Sequence, residues 1–428
     1  MNEHRTLEAR LTAGELDGTL VRLYGAPHLE AARARCAGVL DRYAKTFGSR
    51  PEALFSAPGR TELGGNHTDH QHGRVLAAAV DLDVLAAAAP NQSGMIRVQS
   101  EGYPLLVVDL AELSPRPEEA NTSAALIRGV AARLAALGCP LQGAGLDAYV
   151  VSNVPGGSGL SSSAAFEVLV GAMLSGLFWP GRCSPVEIAQ IGQYAENVYF
   201  GKPCGLMDQT ASSVGGVVAI DFADPARPQV EQIPLDFAAT GHALCILDSG
   251  AGHADLTAEY AAITAELGAV CRCFGKEVLR EVPEEAFLAD LPRVRVAAGD
   301  RAVLRAFHCY AENRRAGAQA QALKDGDFDA FLALVRDSGR SSALYLQNVV
   351  PTGQTAHQEL LLAIALCERI LNGKGAVRVH GGGFGGTTQN FVPDDLLDSF
   401  RETMEGVFGK GSCHCLTIRP CGGICVEA

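Results

Sequence analysis

The stretch Val154-Pro155-Gly156-Gly157-Ser158-Gly159-Leu160-Ser161-Ser162-Ser163-Ala164-Ala165 joins a segment typical of a strand to a segment typical of a helix. Residues 146–154 form a short apolar run, and residues 160–178 repeat apolar side chains with helical spacing. A glycine-rich turn at a helix N-terminus presents backbone N–H groups that suit phosphate. This run contains more glycine and serine than a capped helix needs, and the chain contains no Walker G-x4-G-K-[ST] pattern. The stretch therefore predicts a phosphate loop of another type.

Short strands and longer helices alternate around this loop, which indicates a mixed α+β fold. The first half predicts helices at 29–47, 122–137 and 185–200, and strands at 95–109 and 216–222. The second half predicts strands at 242–247 and near Val377, Asn390 and Thr417, and helices at 255–274, 301–324 and 356–371. A polar, proline-bearing stretch at 223–228 separates the halves, so we expect two domains, residues 1–235 and 236–428.

Composition limits the class of protein. The 428 residues are 47% hydrophobic, enough for a large core, and no apolar run is long enough to span a membrane. The first five residues lack the core of a signal peptide, so we expect a cytoplasmic protein. With 35 basic and 48 acidic residues, the net charge is −13, and no basic stripe suits nucleic acid.

Thirteen cysteines are scattered along the chain, which favours reduced thiols over a disulfide framework. Cys271-x-Cys273, Cys413-x-Cys415 and Cys421-x3-Cys425 have metal-ligand chemistry. No C-x2-C pair occurs, and the neighbouring patterns resemble helix or strand. We therefore expect no zinc site.

A second segment, residues 57–73, suits a polyhydroxylated ligand. Arg60 supplies a planar charged fork, Asp69 can accept from two neighbouring hydroxyls, and Gly64 and Gly65 permit close backbone approach. A polar surface loop is the plain alternative. A metal site is the third, because His67, Asp69, His70 and His72 could be ligands, but no second cluster completes a closed set.

Two further motifs carry candidate residues. Residues 380–388 satisfy G-x-G-x-x-G, yet residues 387–392 alternate like a strand, which argues against a dinucleotide-binding helix. Their glycines predict close packing against a loop or a ligand. Asp208 follows a predicted helix that carries Glu196, and it is either a helix N-cap or a functional acid.

Taken in order, these motifs resemble those of the galactokinases, a branch of the superfamily that also holds homoserine, mevalonate and phosphomevalonate kinases. The resemblance spans nearly the whole chain: G-R-x-x-x-x-G-x-H-T-D begins at Gly59, G-L-S-S-S-A-A at Gly159, P-C-G-L-M-D-Q at Pro203 and G-G-G-F-G-G at Gly381. It implies a ribosomal-S5-like N-terminal domain and a ferredoxin-like C-terminal domain, with the active site in the cleft between them.

The resemblance also implies transfer of the ATP γ-phosphoryl group to the anomeric hydroxyl of galactose, with Mg²⁺, by a monomer or weak homo-oligomer. Asp208 matches the catalytic base, which either removes the proton early or mainly positions the hydroxyl, and Arg60 matches its cationic partner. Ser163 and Glu196 match the magnesium ligands. Sugar contacts are implied at Asn66, His67, Asp69, Gly205 and Tyr260, and phosphate contacts at Gly156, Gly157, Ser158, Gly159, Leu160, Ser161, Ser162 and Ser163.

The chain departs from the family where many members have N-L-I-G-E-H-T-D. Here Glu62 replaces the Asn and Asn66 replaces the Glu that faces the sugar's C6 hydroxyl. Loss of that carboxylate would lower repulsion against a C6 carboxylate, so a galacturonate kinase is the alternative. Asp69 is retained, which favours galactose. A sugar and ATP sensor without activity is a further alternative, although Arg60, Ser163, Glu196 and Asp208 are all present.

Overall fold

The computed structural model describes residues 5–202, 204–252 and 256–427, so Pro203 and Asp255 of the sequence predictions lie outside it. The twelve strands within these residues are β1 Ala53–Gly64, β2 Arg74–Pro90, β3 Met95–Ser100, β4 Leu106–Asp109, β5 Leu146–Ser152, β6 Val217–Asp221, β7 Gln229–Ile233, β8 His242–Asp248, β9 Ala376–Val379, β10 Thr387–Pro393, β11 Cys413–Leu416 and β12 Ile424–Glu427. The α-helices within them are α1 Leu7–Thr12, α2 Asp17–Tyr24, α3 Leu29–Phe47, α4 Ser123–Ala136, α5 Ser162–Phe178, α6 Pro185–Ala195, α7 Met207–Val214, α8 Thr257–Arg272, α9 Glu284–Ala289, α10 Leu291–Ala298, α11 Asp300–Lys324, α12 Phe328–Ser341, α13 Glu359–Leu371 and α14 Leu397–Phe408.

The larger sheet has eight strands, in the order β12-β1-β2-β5-β3-β4, with β6 pairing β2 and β7 pairing β6. All of its pairs are antiparallel except β3 with β5. Strand β2 is long enough to pair with β5 along its second half and with β6 along its first. Helices α5 and α7 pack on β1, and α11 also contacts it.

The polar surface loop given as the plain alternative for residues 57–73 is wrong for the first half of that segment, because residues 53–64 form the fully buried strand β1. Strand β1 contains polar residues, which hid it from the hydrophobic pattern. Those side chains are satisfied by distant partners: Thr61 contacts His380, and Glu62 pairs with Arg378. The loop itself is short and joins β1 to β2.

The smaller sheet is antiparallel, in the order β11-β8-β10-β9. Both of its faces pack against apolar side chains. Leu244 and Ile246 of β8 join the main core with α12, whereas Cys245 and Leu247 face the core under α13 and α14. This alternation follows from the two-residue period of a strand.

The predicted helices at 29–47, 122–137 and 301–324 are confirmed within one residue at either end. The predicted strand at 95–109 is two strands, β3 and β4, joined by a turn. The predicted helix at 185–200 ends as α6 at Ala195 and continues as a π-helical turn from Glu196 to Phe200. The expected domain boundary after residue 235 falls between β7 and β8. Strand β12, near the C-terminus, pairs with β1 in the larger sheet. In the described part of the chain, no helix has the length and apolar character needed to cross a bilayer.

Candidate active site

Arg60 on β1 contacts both Asp208 on α7 and the glycine-rich turn that precedes α5. Its Nε donates to Asp208 Oδ1 over 2.7 Å, and its Nη1 donates to the carbonyl of Gly159. Ser161 Oγ donates to the other carboxylate oxygen of Asp208. The N-cap of α7 is Leu206, so Asp208 lies in the first turn of that helix and is not its cap.

The environment of Asp208 favours the ionised carboxylate. Desolvation opposes its charge, but Arg60 and the hydrogen bond from Ser161 outweigh desolvation and hold the pKa of Asp208 below its ordinary value. The N-terminal end of α7 also favours an anion. The carboxylate is therefore charged and oriented at neutral pH.

The glycine-rich turn lies at the N-terminal end of α5, which begins at Ser162. Ser161 has a φ of 55°, a left-handed conformation that non-glycine residues rarely adopt, and its hydroxyl reaches Asp208. Ser158 Oγ donates to Pro155 O, so this hydroxyl braces the turn. Open space adjoins Gly156, and Gly157 and Gly159 have positive φ angles; Leu160 is buried, while Ser162 and Ser163 are partly exposed.

Three glycines of residues 381–386, namely Gly382, Gly383 and Gly385, pack closely against other residues. Tyr260 on α8 donates from its hydroxyl to Gly383 O over 2.9 Å, and a Cβ added to Gly382 would lie 2.5 Å from the Tyr260 ring. An added Cβ on Gly159 would lie 2.9 Å from His380 Nδ1, so the two glycine-rich motifs touch. Residues 387–393 form strand β10, as the alternation predicted.

Asp69 and Gly205 meet in the expected sugar region. A Cβ on Gly205 would lie 2.2 Å from Asp69 Oδ2, so only glycine allows this approach. Asp69 Oδ1 accepts from the His70 backbone N–H. His67, with a φ of 61°, contacts Gly382 O through Nε2 over 3.0 Å. Desolvation lowers the pKa of His67 to about 4, so its ring is neutral at pH 7.

The side-chain amide of Asn66 uses all of its hydrogen-bonding capacity within the protein. Its Nδ2 donates to Glu62 Oε1 over 3.1 Å and to Gly381 O over 2.7 Å. Its Oδ1 accepts from Asn348 and Ser342. The acid and amide exchanged relative to the family thus contact each other directly.

Helix α11 supports this loop from beneath, which the sequence did not reveal. Glu312 Oε1 accepts from the backbone N–H groups of Gly65 and Asn66 at 3.1 and 3.3 Å. His308 Nε2 contacts Asn66 O over 3.1 Å. Glu312 and His308 are fully buried and lie one helical turn apart. A histidine and a glutamate four positions apart on a predicted helix could have been noticed in the sequence, but the sequence does not identify the groups that they contact.

Two family models match this chain, the galactokinase galactose-binding signature over residues 41–90 and the GHMP kinases N terminal domain over residues 125–216. The galactokinase of Streptomyces coelicolor is 32% identical over 86% of this chain and 92% of its own length. Homo sapiens galactokinase is 33% identical over 81% of this chain and 85% of its own. The chain belongs to the galactokinase family. It is a sugar kinase.

Solved structures show the same fold. A Lactococcus lactis galactokinase, crystallised with galactose, has a TM-score of 0.77 at 24% identity and covers 91% of this chain and 99% of its own. Methanococcus jannaschii mevalonate kinase has a TM-score of 0.61 at 16% identity, covering 87% and 99%. The predicted mixed α+β small-metabolite kinase fold is confirmed.

A pair of buried carboxylates, Glu167 on α5 and Glu196, lies near the glycine-rich turn. Gln209 Nε2 donates over 2.9 Å to both Glu196 Oε2 and Glu167 Oε2. Glu167 Oε1 is buried and has no hydrogen-bond partner among the described residues. Desolvation and the neighbouring Glu196 raise the pKa of Glu167 well above its ordinary value. An all-oxygen set with an unpartnered oxygen fits Mg²⁺.

The resemblance to the galactokinases implied Ser163 and Glu196 as magnesium ligands but did not point to Glu167. Ser163 and Glu167 are four residues apart on α5, so they lie on the same helix face. Lys202 Nζ lies 3.8 Å from Glu196 Oε1 and is the nearby counter-charge. The sequence does show an acid one helical turn after Ser163, and this spacing could have indicated Glu167 as a further ligand.

Proposed function

We propose that this enzyme transfers the γ-phosphoryl group of ATP to the C1 hydroxyl of galactose, giving galactose 1-phosphate and ADP. The single observation that carries the proposal is the group formed by Arg60, Asp208 and Ser161, because it brings an oriented carboxylate against the glycine-rich turn. Relatives that share about a third of their residues with this chain are galactokinases.

In this proposal Asp208 orients the sugar's C1 hydroxyl and accepts its proton as the bond from C1 oxygen to the γ-phosphorus forms. The bond from that phosphorus to the bridging oxygen of ATP breaks, and ADP leaves. A carboxylate of lowered pKa is a weak base, so alignment contributes more than early proton removal. Arg60 holds the carboxylate in place and adds positive charge beside the transferred group.

The turn at 156–163 would hold the phosphates through backbone N–H groups at the start of α5. Glu196, Glu167 and Ser163 would hold Mg²⁺, which neutralises phosphate charge when bound. Asp69 would accept from the sugar's ring hydroxyls, with Gly205 giving it room and Tyr260 and His67 bracing the wall formed by residues 381–383. Asn66 would act on C6 indirectly, through Glu62 and Gly381.

The test is a coupled ADP-release assay with MgATP and galactose, galacturonate, galactosamine, arabinose or glucose. Fast turnover of galactose, with a kcat/KM well above that of the other sugars, is the expected result. Preference for galacturonate would replace the proposed substrate. If no sugar is turned over while galactose and ATP still bind in calorimetry, the chain is a sensor.

A further inference from the structure

Three cysteine side chains converge on the smaller sheet, away from the kinase site. Cys245 lies on β8, and Cys413 and Cys415 lie on β11 at the sheet's edge. The register pairs Cys415 with Cys245 and Cys413 with Leu247. Because paired and alternate residues of antiparallel strands share a face, all three thiols emerge on the same side. Their Sγ atoms all lie within 4.8 Å of one another, and those of Cys245 and Cys415 are 3.5 Å apart.

This spacing suits a common metal ion. A zinc–thiolate bond of about 2.3 Å places sulfur ligands of one ion roughly 4 Å apart. The donor set is all sulfur, which selects soft ions of the zinc and copper(I) type over magnesium or calcium. The pair C-x-C on β11 would supply two ligands from one strand, and Cys245 would supply the third from its neighbour.

Two of the three cysteines are buried among apolar side chains, and the third is open to solvent. Cys245 and Cys413 are buried in the apolar cluster that holds Phe400 and Met404 of α14. Cys415 is exposed, so an ion can reach the three sulfurs from solvent and keep one position open for water.

We propose that Cys245, Cys413 and Cys415 form a binding site for a soft, thiophilic metal ion. The ion would be zinc or copper(I), and binding would release the thiol protons. It would also tie the edge strand β11 to β8. The site is independent of the proposed kinase function, because none of its residues contacts the group at Arg60 and Asp208.

The test uses the full chain, reduced and freed of metal with a chelator. Zn²⁺ is titrated against pyridylazoresorcinol and Cu⁺ against bathocuproine disulfonate, and Cd²⁺ is added to record thiolate-to-metal charge-transfer absorption. The variant is Cys415→Ser, at an exposed position that should tolerate the change. The matched control is Cys425→Ser, which removes an exposed thiol outside the cluster.

We expect one equivalent of tightly held ion in the wild type and in Cys425→Ser, and loss of that equivalent in Cys415→Ser. Saturation should raise Tm in the first two proteins only. The stronger of the zinc and copper(I) competitions identifies the ion. Equal uptake by both variants, or no uptake by the reduced wild type, would overturn the proposal. So would the finding that Cys245 and Cys415 form a disulfide while the reduced thiols bind no ion.

Discussion

Arg60 Nε donates a hydrogen bond to Asp208 Oδ1 over 2.7 Å, although the two residues are 148 positions apart in the chain. The same guanidinium donates to the carbonyl of Gly159 in the glycine-rich turn. One side chain on a buried strand therefore fixes both the acid and the turn. This arrangement explains why the arginine lies in β1, where the sheet leaves it little freedom to move.

Asp208→Asn should lower kcat by about 1000-fold, because the amide keeps the shape of the carboxylate but cannot take a proton. Galactose affinity should stay within a few-fold of the wild type, measured by calorimetry without nucleotide. Asp395→Asn, at an exposed position, should leave both quantities unchanged. A kcat close to that of the wild type would remove Asp208 from the catalytic role.

Gly205→Ala should raise the KM for galactose about tenfold or more, because the new Cβ would lie 2.2 Å from Asp69 Oδ2 and displace that carboxylate. The KM for ATP should change little. Gly38→Ala on α3 is the control, since nothing lies within 4 Å of its added Cβ. An unchanged galactose KM would show that Asp69 does not bind the sugar.

Glu167→Gln should weaken magnesium binding and raise the magnesium concentration for half-maximal rate about tenfold. The reason is loss of a buried carboxylate beside Glu196. Glu118→Gln, on an exposed turn, is the control. Identical magnesium curves for the two variants would exclude Glu167 from the cation site.

Glu312→Gln should destabilise the enzyme in a pH-dependent way. Burial opposes its charge, but His308 and Arg315 outweigh it and lower the pKa of Glu312 to about 2, against an ordinary 4.5, which corresponds to about 3 kcal/mol. A depressed carboxylate pKa stabilises the fold above the unfolded pKa, and this contribution is lost as pH falls from about 4.5 toward 2.

Urea unfolding between pH 7 and pH 3.5 measures this effect. The difference in unfolding free energy between wild type and Glu312→Gln should be constant above about pH 5.5 and shrink below pH 4.5. A difference that does not vary with pH would assign the whole effect to packing.

Asn66→Glu should lower both Tm and activity, because a second carboxylate would face Glu62 Oε1 and Gly381 O. Adding Glu62→Asn restores the family's order of amide and acid and should recover much of the loss, a coupling of about 1 kcal/mol or more. A double-mutant cycle on Tm and on the kcat/KM ratio of galactose to galacturonate measures this coupling. Additive effects would show that the two positions act separately.

The sequence determined the local elements and the chemistry of the motifs. Hydrophobic period and glycine placement predicted the helices at Leu29–Phe47 and Asp300–Lys324. They also predicted the helix after the serine run and the strand after the glycines of residues 381–386. Arg60 and Asp208 were singled out by their side-chain chemistry and position in the motifs, and the resemblance to the galactokinases implied Ser163 and Glu196.

Only the tertiary structure decided what those residues touch. Hydrophobic period is a local signal, so it missed strand β1, whose Glu62 and Thr61 are satisfied by Arg378 and His380 more than 300 residues later. The C-x-C pair at 413–415 gave no sign of a third thiol, because Cys245 reaches it only through the pairing of β8 with β11. Partners of buried polar groups are set by sheet order and helix packing, which operate between segments that are distant in the sequence.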